Sequence, residues 1–216
     1  MKSLIKRILN EIASVNRLIL LDIDDTIVEP ANISIKRKLP SDEEEIILSP
    51  KEYAKEKVTP SKVKYYDYDE FRDPEKVKQS IIGGTPLIVN LQYMDELIKQ
   101  GYKIGFLTAR SQENAVFEGL KEFLMYKDPI TGELVSIGDK LDRELVFAIN
   151  DSGRVSELKS TTDYDKKAEV ILSLLDDFDQ VIFVDDDLKN VKAVKELKMG
   201  LPKDKANKLF AMPSKK

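Results

Sequence analysis

Three aspartates crowd the end of an apolar run in "LILLDIDDTIV", residues 18–28, where Asp22, Asp24 and Asp25 follow Leu18–Leu21. Like charges at the end of a buried strand repel one another and lose hydration, so the cluster implies a cation or a chemistry that uses it. Asp22 and Asp24 are two residues apart on extended chain, and their side chains can point the same way. Two carboxylates on one face suit a division of labour. One attacks as a nucleophile, and the other handles the proton of a leaving group and later of water. Thr26 is placed to hold Asp24 through its hydroxyl and to shape the turn. Capping a helix would not require three aspartates.

A second acidic cluster lies in "FVDDDLKN", residues 183–190, where Asp185 and Asp186 follow an apolar run and Asn190 comes one helical turn after Asp186. Asp187 suits a helix N-cap. Oxygen ligands from two loops, in a chain with no histidine or cysteine, suit a hard divalent cation such as Mg²⁺. Such an ion offsets the carboxylate repulsion and binds an incoming phosphate oxygen. Thr108 closes "KIGFLT", where its hydroxyl and nearby N–H groups suit a phosphoryl oxygen. Arg110, two residues on, serves either a substrate anion or an acidic neighbour. A balancing cation is expected at Lys167, because Val170, Ile171 and Leu174 fall at i+3, i+4 and i+7 and put it at the start of the inward face. Lys166 falls off that face, and Lys159 is the weaker candidate.

The elements that must position these groups are legible as periodicities. The runs "LILL" (18–21), "IGFL" (104–107), "VFAI" (146–149) and "VIFV" (181–184) read as parallel strands buried on both faces. Helical spacing appears in "NLQYMDELIKQG", in "SQENAVFEGLKEFL" with Ser111 as the expected N-cap, in "DKKAEVILSLL" and in "LKNVKAVKEL". Strands alternating with helices predict an α/β, Rossmann-like, doubly wound parallel sheet. In such sheets ligands bind beyond the carboxyl ends of the strands, which here carry "DIDDT", "TAR" and "DDD".

Residues 30–86 break the alternation and read as a small inserted domain over the sheet edge, leaving 1–29 and 87–216 as the core. Within it, "NISIKRKLP" and "EEEIILS" suit a hairpin, "SPKEYAKEK" carries a capping box and "DPEKVKQSI" a short helix. "GGTP" (83–86) suits the hinge that returns the chain to the core. The rings of "YYDYDEF" (65–71) suit a small core or a stacking surface, and "KRK" (36–38) a solvated basic turn. A loop or hairpin is expected over 126–142.

Composition narrows the chemistry further. Of 216 residues 42% are hydrophobic and 34% charged, as in a globular chain. With no cysteine and no histidine, thiolate and imidazole chemistry are excluded, and a reducing, cytoplasmic compartment fits. A net charge of −4 argues against bulk adhesion to nucleic acid. No apolar run approaches the roughly 20 residues that span a bilayer. Leu4, Ile5, Ile8, Leu9 and Ile12 predict an amphipathic helix over 1–16 packed on the core rather than an anchor.

Taken in order, "LILLDIDDT", "KIGFLT", Lys167 and "VIFVDDDLKN" resemble the haloacid dehalogenase (HAD) superfamily of aspartate-nucleophile phosphatases. The resemblance spans 18–28 and about 87–197, and it implies a Rossmann-like core with a C1-type cap at 30–86. By motif position, Asp22 would form an aspartyl-phosphate, and Asp24 would protonate the leaving oxygen and then activate water. Mg²⁺ would be held by Asp22, the Asp24 backbone carbonyl and Asp186, with Asp185 or Asn190 assisting. Thr108 and Lys167 would stabilise the phosphoryl group. Thr26 and Arg110 are further candidates for contact with substrate or phosphate. With both aspartates present the phosphatase branch fits better than the dehalogenase branch. Many family members carry glycine where this chain has Asp25.

The expected activity is hydrolysis of a phosphomonoester on a small phosphorylated metabolite, a nucleotide or a nucleic-acid 3′-phosphate. "TAR" and "FVDDDLKNV" also resemble the phosphatase domains of polynucleotide kinases, but no GxxxxGK[ST] loop is present. The rival readings are a non-catalytic phosphate-binding or regulatory module and a receiver-like phosphoacceptor. The order DxDxT and the insert disfavour the latter.

Overall fold

Continuous apolar runs form strands only where helices cover both faces, and that is their setting here. The computed structural model describes residues 15–41, 43–55, 65–127 and 131–215, so the helix expected over 1–16 lies almost wholly outside the described residues. The first half of the chain forms β1 (Arg17–Leu21), β2 (Val28–Glu29), β3 (Ile35–Lys38), β4 (Ile46–Leu48), α1 (Pro50–Lys55), β5 (Tyr65–Asp67), α2 (Pro74–Ile82), β6 (Thr85–Pro86) and α3 (Ile88–Lys99). The second half forms β7 (Tyr102–Thr108), α4 (Glu113–Phe123), β8 (Met125–Lys127), β9 (Leu134–Ser136), β10 (Val146–Ala148), α5 (Asp163–Leu174), β11 (Gln180–Asp185), α6 (Leu188–Gly200), α7 (Lys203–Lys208) and β12 (Leu209–Pro213).

The main sheet has five parallel strands in the order β10-β7-β1-β11-β12. The strand order reverses between β1 and β11, the position at which open α/β sheets leave a crevice. Successive residues of β1 serve opposite faces. Ile19 and Leu21 join Leu91 and Met94 of α3 and Val116 and Leu120 of α4. Leu18 and Leu20 join Ile171 and Leu174 of α5 and Val194 of α6. Each such side chain contributes about 2 kcal/mol relative to exposure, which anchors the strand end that carries Asp22.

Residues between β2 and β6 carry a small sheet of their own. Strands β4-β3-β5 make an antiparallel sheet in which Ile35 faces Leu48 and Lys36 faces Asp67. The capping box before α1 is formed: the Ser49 N–H donates to Glu52 at 2.8 Å, and the Glu52 N–H to the Ser49 hydroxyl at 3.3 Å. Asp73 caps α2 by accepting from Glu75 and Lys76. This helix lies within the insert by sequence but packs on the core. Val77 and Ile81 are buried in the cluster of α3 and α4, and Lys78 pairs with Glu122 at 2.6 Å. Where the insert leaves and rejoins the core, β2 pairs antiparallel with β6. A Cβ at Gly84 would lie 2.3 Å from Val28 Cγ2 and 2.7 Å from the Glu29 carbonyl, so this crossing requires glycine.

Two local features depart from expectation, and one open alternative is resolved. An edge strand, β12, adds to β11 through residues with no continuous apolar run. Helix α4 starts one residue later than predicted, because Gln112 occupies the N-cap position at φ 67°. Ser111 is therefore not the cap, and its hydroxyl donates to the Phe71 carbonyl of the insert at 2.8 Å. The 126–142 excursion contains the hairpin β8–β9. Among the described residues no helix is long and apolar enough to cross a membrane.

Candidate active site

Strand β1 ends at Leu21, and Asp22 continues the ladder by donating its N–H to the Val184 carbonyl of β11 at 2.9 Å. The chain then turns tightly over Ile23, whose carbonyl accepts the N–H groups of Thr26, Ile27 and Val28. Ile23 and Ile27 are fully buried and pin this turn to the core. Asp25 sits at its apex with φ 56°, a left-handed conformation that glycine adopts without strain and aspartate tolerates better than most residues. The oddity of "DIDDT" is thus a backbone requirement.

Lys167 reaches in from α5, fully buried as its periodicity predicts. Its ammonium lies 2.6 Å from Asp22 Oδ1 and 2.7 Å from Asp185 Oδ2. Lys166 points away and donates to Asn150 at 2.6 Å. Asp185, at the end of β11, also accepts the Asp187 N–H at 2.8 Å and the Asn190 amide at 2.9 Å. Asp187 caps α6 by accepting from the Lys189 N–H. Asp22, Asp185 and Asp186 each offer a carboxylate oxygen, and these oxygens lie within 4.8 Å of one another. The Lys167 ammonium contacts two of these carboxylates, Asp22 and Asp185. Burial pushes the Asp22 carboxyl well above the usual carboxylate range; the Lys167 charge opposes this, and Asp185 and Asp24 add to it. Burial works against the Lys167 ammonium, but Asp22 and Asp185 outweigh it and raise its pKa. Three carboxylate oxygens this close together, with no nitrogen or sulfur donor, fit a hard divalent cation.

Arg110 holds Asp24. Its Nε and Nη2 donate to the two Asp24 oxygens at 2.9 and 2.7 Å, while Nη1 donates to the Val77 carbonyl and the Ser80 hydroxyl of α2 at 3.0 and 2.7 Å. Of the two roles open to Arg110, pairing with an acidic neighbour is the one observed. The Thr26 hydroxyl, expected on Asp24, instead accepts the Asp186 N–H at 3.0 Å and so ties the two acidic loops together. Thr108 is buried at the end of β7, and its Oγ1 accepts the Arg110 N–H at 3.3 Å. Lys159 lies apart, with its N–H on Glu169.

Several contributors carry no motif. Asn90 of α3 is buried and donates to the Thr26 carbonyl at 2.7 Å, which steadies the turn after Asp22. Its only sequence signal is a polar residue within an apolar helix face. A cavity of about 850 Å³ opens from Asp24 toward the insert, walled by Tyr53, Tyr68 and Phe71 on one side and by Gln112 and Asn150 on the other. Tyr53 and Tyr68 join hydroxyls at 2.8 Å with their rings at 87°. The "KRK" cations turn to the insert itself: Lys36 lies 3.6 Å from Asp67, and Lys38 donates to the Glu43 carbonyl.

Comparison with protein-family models, with curated proteins and with solved structures finds no match for this chain.

Proposed function

We propose that the protein is a Mg²⁺-dependent phosphomonoesterase of the haloacid dehalogenase superfamily, working through an aspartyl-phosphate on Asp22. The observation that carries this reading is the Lys167 ammonium bridging Asp22 and Asp185 at 2.6 and 2.7 Å while Asp24, two residues on, is clamped separately by Arg110. One strand end therefore presents two carboxylates in different electrostatic settings, as a nucleophile and an acid/base require.

An Asp22 oxygen attacks phosphorus as the bond to the leaving alcohol breaks, and protonated Asp24 gives its proton to the departing oxygen. Asp24, now a carboxylate held at both oxygens by Arg110, takes a proton from water. The water oxygen attacks phosphorus and expels Asp22, yielding inorganic phosphate. The Thr108 hydroxyl, whose oxygen already accepts the Arg110 N–H, directs its own proton to a phosphoryl oxygen. Lys167 orients Asp22 and supplies fixed positive charge to the transferred group. Asp22, the Asp24 backbone carbonyl and Asp186 would hold Mg²⁺, with Asp185 and Asn190 supporting, and the ion supplies charge neutralisation to the phosphoryl oxygens.

Phosphate release from sugar phosphates and nucleotides, with Mg²⁺ or with EDTA, tests the reading. Mg²⁺-dependent release is expected, with Asp22→Asn lowering kcat by at least about 10³-fold and Asp24→Asn by about 10²–10⁴-fold. Release that survives both EDTA and Asp22→Asn would overturn it. Tight binding of a phosphate analogue with no turnover of any ester would favour a binding module instead.

A further inference from the structure

Resting on the phosphomonoesterase reading, we propose that the cavity beside Asp24 receives the leaving alcohol, and that this alcohol is a nucleoside, so that the substrate class is nucleoside monophosphates. The cavity connects the acid/base to the insert: Asp24 lies in its wall, and Asp22 does not. Whatever Asp24 protonates therefore departs into this space and not into the metal side of the site. A volume of about 850 Å³ lies within the roughly 300–1,000 Å³ of pockets that engulf small molecules.

The walls define the chemistry of the occupant. Tyr53 and Tyr68 stand almost perpendicular, with centroids 5.8 Å apart and hydroxyls joined, and they are braced by Tyr66 behind them at 5.1 and 6.1 Å. A flat ring laid on the face of one meets the edge of the other, which is the geometry aromatic pairs prefer. Phe71 extends the apolar wall. Across the cavity, Gln112 is held in a left-handed conformation at φ 67°. Its side-chain amide makes no hydrogen bond among the described residues, and it offers a donor and an acceptor together to the edge of a base. Strain retained at a cavity wall points to use of that residue.

Charge balance selects the monophosphate. Arg110 is committed to Asp24, and Arg72, the other cation in the wall, is matched by Asp69 at 3.3 Å. Asp151 and Asp163 add negative charge. A second phosphate or an oligonucleotide backbone would find, among the described wall residues, only the solvent-exposed Arg72 set against the carboxylates of Asp24, Asp151 and Asp163.

The experiment compares kcat/KM of the full-length protein with Mg²⁺ for nucleoside monophosphates, ribose 5-phosphate and a 3′-phosphorylated oligonucleotide. A nucleotide preference over ribose 5-phosphate of roughly 10- to 100-fold is expected from stacking one base. Tyr68→Leu should collapse that ratio toward one, while Tyr68→Phe, which keeps the ring and loses the hydroxyl contact, should retain it. Equal kcat/KM for ribose 5-phosphate and nucleotides would overturn the nucleoside assignment and leave the phosphatase intact. Preference for the oligonucleotide would overturn it in favour of a nucleic-acid end. Absence of phosphate release from every ester would remove the underlying activity, and the assignment with it.

Discussion

The buried guanidinium of Arg110 ties the chemistry to the architecture, because each of its nitrogens has a separate task. The Arg110 side chain is 1% exposed and that of Asp24 29%, so the pair is only thinly screened. Arg110→Lys keeps the charge but cannot donate to both Asp24 oxygens and to α2 at once. We expect it to lower kcat by about 10²-fold through misplacement of Asp24, with the loss on kcat rather than KM. Arg110→Ala should in addition cost about 3 kcal/mol by chemical denaturation, because it leaves the Asp24 carboxylate without its cation. Asp25 gives a second residue-scale test. At φ 56°, Asp25→Gly should stay within about 1 kcal/mol of the wild type, since relief of strain opposes the greater freedom of the unfolded chain. Asp25→Val should lose about 2 kcal/mol. A stable Asp25→Val protein in urea unfolding would show that the left-handed turn is not required. The inward lysine was legible from periodicity alone, because burial of Val170, Ile171 and Leu174 fixes the face of α5. The partner of Arg110 was not, because Asp24 lies 86 positions away and no spacing encodes that pairing.

At the scale of elements, Glu70 is a polar tie within the insert. It accepts the Ser34 N–H at 2.7 Å and hydroxyl at 2.9 Å, and Lys76 Nζ at 2.9 Å, joining the approach to β3 to the first turn of α2. The Lys76 hydrogen bond leads the causes that hold the Glu70 carboxyl below its usual range, against burial and with help from Ser34. A carboxyl with a depressed folded-state pKa contributes stability above its unfolded pKa and loses it as pH falls through the folded value. The tie should thus be intact at pH 7 and fail on the acid side of the ordinary carboxylate range. Glu70→Gln should lower the thermal midpoint at pH 7 and shrink its difference from wild type on acidification. Equal acid slopes for the two proteins would remove Glu70 from this role. Elements with continuous apolar runs or a capping box were legible, as in β1, β7, β11 and α1. The edge strand β12 was not, because Phe210 and Met212 leave one side partly solvated and the run "LFAMP" ends in proline. Nor was the start of α4, since nothing in "SQEN" announces a left-handed Gln112.

For the whole molecule, the sheet edge brings three carboxylates within reach of one cation, and on the proposed function metal binding there is a stability event. The Rossmann-like order brings the ends of β1 and β11 side by side, so that Asp22 and Asp185 share Lys167 and Asp186 completes the set. Parallel pairing of distant apolar runs made that convergence legible in the sequence. The cavity was not legible, because its walls come from positions as far apart as Asp24, Tyr53, Gln112 and Asp163. A divalent cation that binds only the folded state stabilises it by RT ln(1 + [L]/Kd). Mg²⁺ at about 100 times its dissociation constant should therefore stabilise the protein by about 2.7 kcal/mol, read as a rise in thermal midpoint that EDTA reverses. Asp186→Asn removes one of the three carboxylates proposed to hold the ion. It should abolish most of the Mg²⁺-induced rise, an effect that a purely structural aspartate would not produce. A midpoint indifferent to Mg²⁺ in the wild type, or an Asp186→Asn protein that responds as fully as the wild type, would mean that the cluster is balanced by the protein itself.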